Sequence, residues 1–442
     1  METILSEVPI GGNITKWPFW KKIIFRFLCI YFLLHLTPWT WLDNIVPGID
    51  YVTGNYQTLI SWIIQKCNHL FFHFESTKIV NNGSGDTTFN WEEVFTYLLI
   101  ALAGTFLCSL LDRKRANYVN ANIWLQIFLR YFLIINCFSY GIIKLYGLQM
   151  IFPNQSQLST PLGDFLPMRF SWMFIGYSTP YQMFSGAMEV LAGMLLLNRK
   201  TITLGLFVAT SVFLNVLVLN LCYDIPVKLF SIHLVLYCIY LLLNDYKRLF
   251  NFFVLNIGVS ANSIHSIHFS KKWIRIVRIV LKLVFIIIYV VLPFINTKDR
   301  YYSQFKLKET TPIHLGIYDV TVFAINNDTL PYLPSDTTRW KDVIFEKDGL
   351  GSVGSTDSLF RQRYRRGYFN FKTDTLLKTI SFKKLATDSL NIFEFNYELP
   401  DPTTLKLWGN RKKDSYYLVL RKSNRHFKLA EKQFHWISEA NR

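Results

Sequence analysis

The chain has 442 residues, of which 51% are hydrophobic and 17% aromatic but only 17% charged. An average soluble domain carries about a quarter charged residues, so this composition excludes a single water-soluble globule as well as a disordered chain. The net charge of +17 is spread along the chain, with 23 Lys+Arg against 14 Asp+Glu in residues 1–299 and 24 against 16 in residues 300–442. No nucleic-acid partner is expected, because the positive charge forms no single patch.

The first 299 residues contain repeated apolar segments. A helix needs about 20 mainly apolar residues to cross the hydrocarbon core of a bilayer. The pattern predicts an α-helical polytopic membrane protein with about seven spans and the lipid bilayer as a partner. Residues 1–122 are expected to hold the first spans and an outer interfacial helix, residues 123–248 a four-helix core, and residues 249–299 an interfacial segment and the last span. The predicted spans are 23–42, 94–111, 123–147, 181–198, 202–222, 226–244 and 275–295.

Cationic residues cluster at the ends of these segments. If the N-terminus is cytoplasmic and there are seven spans, every cluster lies on the cytoplasmic side, as topology rules favour. This arrangement predicts that residues 300–442 lie outside the cytoplasm. The four clusters are Lys16, Lys21 and Lys22 before the first span, Arg113-Lys114-Arg115, Arg199-Lys200, and Lys247, Arg248, Lys271 and Lys272 between the sixth and seventh spans.

Residues 56–74 are apolar but interrupted by Gln65, Lys66, Asn68 and His69. Counting this segment as a span would reverse the side of every later cationic cluster. We therefore favour an outer interfacial or re-entrant helix over an additional span.

Residues 300–442 have the pattern of an all-β domain. Short runs rich in strand-forming residues recur every 8–12 residues between polar turns, which is typical of an antiparallel sandwich or an up-and-down barrel. Eight strands are predicted, as in a lipocalin-like barrel. Such a barrel either holds a small apolar ligand or is filled with side chains, and we favour the filled barrel. The predicted strands lie near 313–324, 340–346, 351–358, 362–372, 375–383, 390–398, 404–409 and 415–422.

Ionisable residues inside the predicted spans are candidates for function, because they are costly in a bilayer unless paired or hydrated. In the third span, Arg130, Cys137, Gly141 and Lys144 share one helical face. In the fourth span, Gly186, Glu189 and Gly193 share a face, and the glycines would let a neighbouring helix approach the carboxylate.

We hypothesise that Lys144, Glu189 and His233 converge in the outer half of the bundle as a polar pocket, with Asn215 as an optional fourth member, and that the first three are the candidate catalytic residues. Lys144 would neutralise Glu189, and His233 would move a proton near neutral pH. Arg130, Asn215 and Tyr237 are weaker candidates for binding a cofactor. In the alternative, Lys144 extends to the interface and Glu189 pairs with Arg130 to lock two helices.

Two histidine pairs have spacings or positions that suit a ligand set. His69 and His73 are spaced i, i+4, which suits a metal ion, but they lack a clear third ligand beyond Glu75. His35 and His233 are a candidate axial pair for a haem. Interfacial or packed histidines are favoured for both pairs, and no metal is expected.

Two sets of residues carry a resemblance to known families: within 123–244 they are Arg130, Ser139–Leu145, Gln182–Leu197 and Thr203–Gly205, and at the end of the sequence they are Phe427–Leu429, Phe434–Glu439 and Asn441-Arg442. On the first set, residues 123–244 resemble the DoxX-like family of four-helix membrane proteins. On the second, residues 427–442 resemble the end of larger members from Bacteroidetes-type bacteria. A more distant similarity joins the glycine–lysine helix end to the membrane domain of vitamin-K-dependent gamma-carboxylases.

The DoxX-like resemblance implies the bacterial cytoplasmic membrane and, in some members, a subunit of a quinone-linked redox complex. With the topology predicted above, that membrane makes the β domain periplasmic. The expected function is therefore an accessory protein that binds a small molecule or a quinone headgroup, with other membrane redox subunits as partners. The carboxylase resemblance implies instead an enzyme with Lys144 as its catalytic base. A transporter is a third alternative, although paired broken helices are not evident. The sequence leaves open whether the protein is an enzyme.

Overall fold

The computed structural model describes residues 16–36, 48–74, 83–260, 271–306, 311–333, 337–431, 436, 437 and 439. The chain divides into two compact units. The helical unit comprises Met1–Gln149 and Thr179–Tyr301, and the barrel unit comprises Met150–Ser178 and Tyr302–Arg442. Residues 150–178 interrupt the predicted core over 123–248 and group with the barrel instead.

Thirteen helices lie within the described residues, and a π-helical turn at Ile287–Val291 joins α11 to α12. The barrel unit contains α5, α6 and α13. In chain order the helices are α1 (Phe19–His35), α2 (Ile49–Phe71), α3 (Thr88–Leu111), α4 (Val119–Leu145), α5 (Gln155–Leu158), α6 (Pro167–Tyr177), α7 (Thr179–Leu197), α8 (Ile202–Cys222), α9 (Lys228–Leu243), α10 (Tyr246–Phe253), α11 (Lys272–Ile286), α12 (Leu292–Lys306) and α13 (Lys428–Glu431).

Within the described ranges, four helices are long and apolar enough to cross a membrane: Thr88–Leu111, Val119–Leu145, Arg199–Cys222 and Lys272–Ser303. The pair α9 and α10, bent by 79°, makes a fifth if it counts as one span. Helices α1 and α7 occupy the other two predicted positions, and residues 37–42 of the first predicted span lie outside the described residues. Several apolar helices are thus confirmed, while the total of seven spans and the interfacial placement of α2 stay predictions.

The core of the helical unit forms around α4, which packs against α7 and α9. Leu125, Leu129, Leu133 and Cys137 recur every four residues on one face of α4, and all four are buried. The start of α3 is fixed by side chains. Thr87 and Asn90 form a capping box at the start of α3.

The last helix of this unit runs over Lys272–Ser303 and buries almost none of its apolar surface inside the protein. It touches the rest of the unit at a few points. Tyr131 meets Phe285 edge to face at 4.9 Å, and the Lys282 ammonium donates to the carbonyl of Leu197 at 3.0 Å. An apolar surface this extensive is compatible with a hydrocarbon surrounding, and poorly compatible with water.

Ten antiparallel strands lie in the part of the barrel unit that the structure describes, and eight of them close a barrel in the order β1-β3-β4-β6-β7-β8-β9-β10, with β10 paired to β1. This confirms the predicted eight-stranded all-β domain, whereas its likeness to lipocalins stays a prediction. Two short strands, β2 and β5, pair with β1 and β6. The strands are β1 (Gly316–Ile325), β2 (Asp328–Thr329), β3 (Asp342–Phe345), β4 (Leu350–Val353), β5 (Arg361–Arg363), β6 (Arg366–Asp374), β7 (Thr379–Lys383), β8 (Phe393–Asp401), β9 (Thr404–Arg411) and β10 (Asp414–Lys422).

Aromatic side chains pack the inside of the barrel. In β8, Phe393, Phe395 and Tyr397 are buried and alternate with exposed residues, as the two-residue period of a strand requires. Trp340 is buried among them, with its ring 5.4 Å from that of Phe360 and 5.5 Å from that of Phe393. This packing favours the filled barrel over one that encloses a ligand.

A buried polar network ties residues 150–178 to the barrel wall. Arg366 donates to Asp342 at 2.6 Å and to the Ser352 hydroxyl at 3.1 Å. Ser352 donates to Ser156 of α5 at 2.7 Å, and both the backbone N–H and the hydroxyl of Ser156 donate to Glu346. The loop segment therefore has specific polar partners within the barrel unit.

Candidate functional site

Two glycines bring α4 and α7 into backbone contact. A Cβ added at Gly186 would lie 2.6 Å from the carbonyl oxygen of Gly141, and one added at Gly141 would lie 2.8 Å from Cγ2 of Val190. Only residues without a side chain allow helices to approach this closely. The contact places the side chains of the next turns, Lys144 and Glu189, opposite each other.

The Lys144 ammonium donates a hydrogen bond to Oε1 of Glu189, and both residues are buried. The second carboxylate oxygen, Oε2, is also buried and has no hydrogen-bond partner among the described residues. A buried ion pair repays the cost of desolvation only with good geometry, and breaking it leaves an uncompensated charge. The predicted neutralisation of Glu189 by Lys144 is therefore present as a direct contact.

Arg130 does not form the ion pair with Glu189 that the alternative interpretation predicted. Its guanidinium lies over the ring of Tyr131 at 5.2 Å, and its Nε has no partner among the described residues. With Arg199 and Lys21 it lines a cavity of 370 Å³ at one end of the helical unit. Glu189 lies opposite Lys144, and Lys144 is about four helical turns from Arg130 along α4. Arg130 and Glu189 are therefore too far apart to pair.

His233 of α9 belongs to a second polar group. Its Nδ1 lies 2.7 Å from the carbonyl oxygen of Leu229, and its Nε2 lies 2.9 Å from the hydroxyl of Tyr31 on α1. A carbonyl only accepts, so Nδ1 carries the proton, and Nε2 accepts from the Tyr31 hydroxyl. The two contacts fix both the tautomer and the orientation of the imidazole.

His35 of α1 completes this group, which we call the Tyr31–His35–His233 cluster. The ring centroids of His35 and His233 are 4.0 Å apart, and the ring of Tyr97 on α3 meets His35 edge to face at 4.9 Å. Nε2 of His35 is buried without a partner among the described residues. Two axial ligands of a haem lie on opposite faces of the macrocycle, and rings in mutual contact leave no room for it, so the haem alternative is wrong.

The cluster continues toward the first turns of α3. The Tyr97 hydroxyl donates to Oε1 of Glu93 at 3.0 Å, and Tyr97 is buried. Buried and half-buried protonatable side chains thus follow one another from Tyr31 through the histidines and Tyr97 to Glu93. Sequence analysis missed Tyr31, Tyr97 and Glu93, although Tyr31–His35 and Glu93–Tyr97 are both i, i+4 pairs of polar residues in apolar segments.

Of the weaker candidates for cofactor binding, Asn215 lies outside the polar groups described above and Tyr237 packs among aromatic rings beside His233. Asn215 is exposed on α8, because the packed face of that helix carries Gly205, Ala209 and Phe213, and residue 215 lies about 200° around the helix from Phe213. Asn215 therefore does not lie in a polar pocket inside the bundle, as the sequence analysis predicted. Tyr237 is buried, with its ring 6.2 Å from that of His233 and edge to face with that of Phe32 at 5.1 Å.

No group of three or more His, Cys, Asp or Glu residues able to hold a metal ion occurs within the described ranges. The rings of His69 and His73 are 6.1 Å apart at the end of α2, and Glu75 lies outside the described residues.

Comparison with known proteins gives one partial similarity to a bacterial protein. Over 83 residues the chain is 36% identical to a protein described as "Uncharacterized protein YwoB" from Bacillus subtilis (strain 168). The match covers 19% of this chain and 54% of that protein, so the chain spans about half the length of the curated relative. No family model and no solved structure matches the chain.

Proposed function

We propose that this protein is an accessory membrane protein of the bacterial envelope whose helical unit binds a small molecule, with a quinone headgroup as the favoured ligand. The observation that carries the proposal is the Tyr31–His35–His233 cluster. It combines a tyrosine hydrogen-bonded to a histidine with a second histidine whose buried Nε2 has no partner among the described residues. A buried polar atom without a partner is costly, and a ligand carbonyl would supply one.

The donor set suits this ligand class. A quinone bound here would supply two-electron, two-proton redox chemistry at its carbonyl oxygens, with the electrons exchanged with the proposed membrane redox partners. His35 would bind a carbonyl through Nε2, and His233, held by Leu229 and Tyr31, would hold or pass a proton. The surrounding rings of Tyr97 and Tyr237 would exclude water from the headgroup.

The Lys144–Glu189 pair supports the same function as a structural clamp. It holds α4 against α7, and the unpartnered Oε2 of Glu189 offers one further acceptor in the helical unit. The rival function, an enzyme with Lys144 as base, requires release of this amine from Glu189 before it can take a proton. The ion pair therefore favours binding over base catalysis at this position.

The proposed location is the cytoplasmic membrane, with the N-terminus in the cytoplasm and the β domain in the periplasm. Support comes from the cationic ends of the helices. Lys21 at the start of α1 and Arg199 at the start of the α7–α8 turn line the same cavity, and the Lys22 ammonium donates to the carbonyl of Arg115 at 3.2 Å. Gathering cationic residues at one end of the unit agrees with the positive-inside rule.

The test is extraction and native mass spectrometry of the full chain in a mild uncharged detergent, followed by titration with a short-chain menaquinone. Wild-type protein is compared with His35→Phe, which keeps a ring of similar size, and with His69→Phe as the matched control on α2. We expect His35→Phe to weaken binding at least tenfold and His69→Phe to leave it unchanged. Equal binding in all three proteins, or none in the folded wild type, would overturn the proposal.

Lys144→Met separates the two rivals. The binding function predicts that this variant, where it stays folded, retains the ligand carried by wild-type protein. The enzyme function predicts instead that a covalent product formed by the wild type disappears. Membership of a larger redox assembly is tested independently by co-purification of other membrane subunits at native expression level.

A further inference from the structure

The barrel unit contains a cationic cavity that the proposed function does not use. The cavity has a volume of 260 Å³ and lies between residues of the 150–178 segment and the β5–β6 hairpin. Its lining carries four cationic side chains and a single carboxylate. These residues are Arg169, Arg361, Arg363, Lys384 and Glu346.

The cations of this cavity are not neutralised by neighbouring acids. Among the described residues, no carboxylate lies within 4.0 Å of the charged nitrogens of Arg169, Arg361 or Arg363, and the nearby Asp164 pairs with Arg365 instead. Arg361 and Arg363 are two residues apart on β5 and so project to the same face. Arg363 is exposed, but partial desolvation lowers its pKa, and the positive charges of Arg361 and Arg169 lower the pKa further.

The other polar groups of the cavity are already positioned. Nε of Arg169 donates to the Tyr364 hydroxyl at 2.9 Å, and the Lys384 ammonium donates to the carbonyl of Ser358 at 3.3 Å. Glu346 accepts from both the backbone N–H and the hydroxyl of Ser156. The only carboxylate of the lining is therefore engaged with a neutral partner, and the excess positive charge remains.

The turn that carries these arginines is held in an unusual backbone conformation. Tyr364 and Arg365 link β5 to β6 with φ angles of 53° and 56°, a two-residue turn in which Asn and Gly are preferred. Residues other than glycine that are held in this region of backbone conformation are strained, and such residues cluster at active sites and ligand clamps. Here the turn holds Tyr364 against Arg169 at the edge of the cavity.

We propose that this cavity binds a phosphoryl group, carried either by a small soluble phosphate or by a phospholipid headgroup. Guanidinium groups bind two phosphate oxygens at once in bidentate geometry. A phosphate dianion also neutralises more of the cavity's positive charge than a ligand with a single carboxylate would. The volume is slightly below the ~300–1,000 Å³ of common ligand pockets, so it suits a small phosphorylated group.

The experiment is isothermal titration calorimetry of the full chain in uncharged detergent at constant ionic strength. Two probes are titrated separately: inorganic phosphate, and a short-chain phosphatidic acid below its micellar concentration. The site variant is Arg361→Gln/Arg363→Gln. The matched control, Lys412→Gln/Lys413→Gln, removes the same charge from the exposed turn between β9 and β10. Thermal unfolding of each protein establishes that the barrel is folded.

We expect at least one of the two probes to bind the wild type, with affinity at least tenfold weaker in the site variant and unchanged in the control. Binding of inorganic phosphate identifies a site for soluble phosphates, and binding of the lipid alone identifies a headgroup site. If neither probe binds, or if the site variant and the control weaken binding equally, the cavity is no phosphoryl site. None of these outcomes depends on quinone binding by the helical unit.

Discussion

The hydroxyl of Tyr31 on α1 donates to Nε2 of His233 on α9 over 2.9 Å, although the two residues are 202 positions apart in the sequence. His233 is held from its other side by the carbonyl of Leu229, at 2.7 Å from Nδ1. The first helix of the chain is thereby tied to the helix that carries the predicted histidine, and the histidine has one defined tautomer.

Tyr31→Phe tests this contact. The variant leaves Nε2 of a buried histidine without a donor, which costs about 1–3 kcal/mol. We expect a lower thermal unfolding temperature for the helical unit in detergent. The control is Tyr51→Phe, because Tyr51 on α2 is 78% exposed. Equal unfolding temperatures for the two variants would contradict the assigned role of the hydrogen bond.

Single substitutions of the Lys144–Glu189 pair are expected to destabilise the helical unit strongly. Removing one partner of a buried ion pair leaves the other charge unpaired, at a cost of about 3–5 kcal/mol. Glu189→Leu and Lys144→Met should therefore each destabilise more than the double variant Lys144→Met/Glu189→Leu. The measurement is a double-mutant cycle of unfolding in detergent.

The exposed pair Lys406–Glu398, with 3.3 Å between Nζ and Oε2, serves as the reference pair. Surface ion pairs contribute about 0–1 kcal/mol, so a cycle at these positions should give a coupling energy near zero. A coupling energy for Lys144 and Glu189 that is as small as that of the exposed pair would mean that the buried contact does not stabilise the bundle.

Gly186→Ala should separate α4 from α7. The added Cβ would meet the carbonyl oxygen of Gly141 at 2.6 Å and Cβ of Lys144 at 2.7 Å, so the backbones must move. Such overpacking costs about 1–3 kcal/mol. The matched control is Gly54→Ala in α2, where nothing lies within 4 Å of the added Cβ. In that control alanine should be neutral or stabilise by up to about 1 kcal/mol. Thermal unfolding of both variants provides the comparison, and a Gly186→Ala protein as stable as wild type would refute the close contact.

Trp340→Ala tests whether the barrel is filled. Truncating this buried ring should destabilise the barrel by about 3–5 kcal/mol, since Phe360 and Phe393 lose contacts on one side. The control is Trp408→Ala, whose ring is partly exposed on β9. The loss of stability is measured by following unfolding with near-ultraviolet circular dichroism. A barrel that encloses a cavity beside Trp340 would tolerate both changes alike.

Arg365→Gly should stabilise the barrel unit by about 1–2 kcal/mol, because glycine adopts the left-handed backbone of this turn without steric cost. The lost contact with Asp164, at 3.8 Å and largely exposed, contributes little. Lys372→Gly, at an exposed position inside β6, is the control and should destabilise instead. A fall in unfolding temperature for both variants would show that the turn is unstrained.

Local patterns in the sequence were sufficient to predict which segments form apolar helices and which form strands. Apolar runs of about 20 residues marked the helices, because crossing a bilayer imposes a length, and the two-residue alternation of β8 marked a half-buried strand. The same reasoning placed Lys144 and Glu189 opposite each other, since Gly141 and Gly186 lie one turn away on each helix and glycines permit close approach.

Only the tertiary structure decided which distant side chains meet. Periodicity tells which face a residue is on, but it does not tell which helix covers that face, so His233 was grouped with Lys144 although it contacts Tyr31 and His35. Asn215 was misplaced for the same reason, because several faces of a uniformly apolar helix look alike in sequence. The pairing of residues 150–178 with the barrel was equally hidden, since it depends on Ser156 and Glu346, 190 positions apart, meeting in the folded chain.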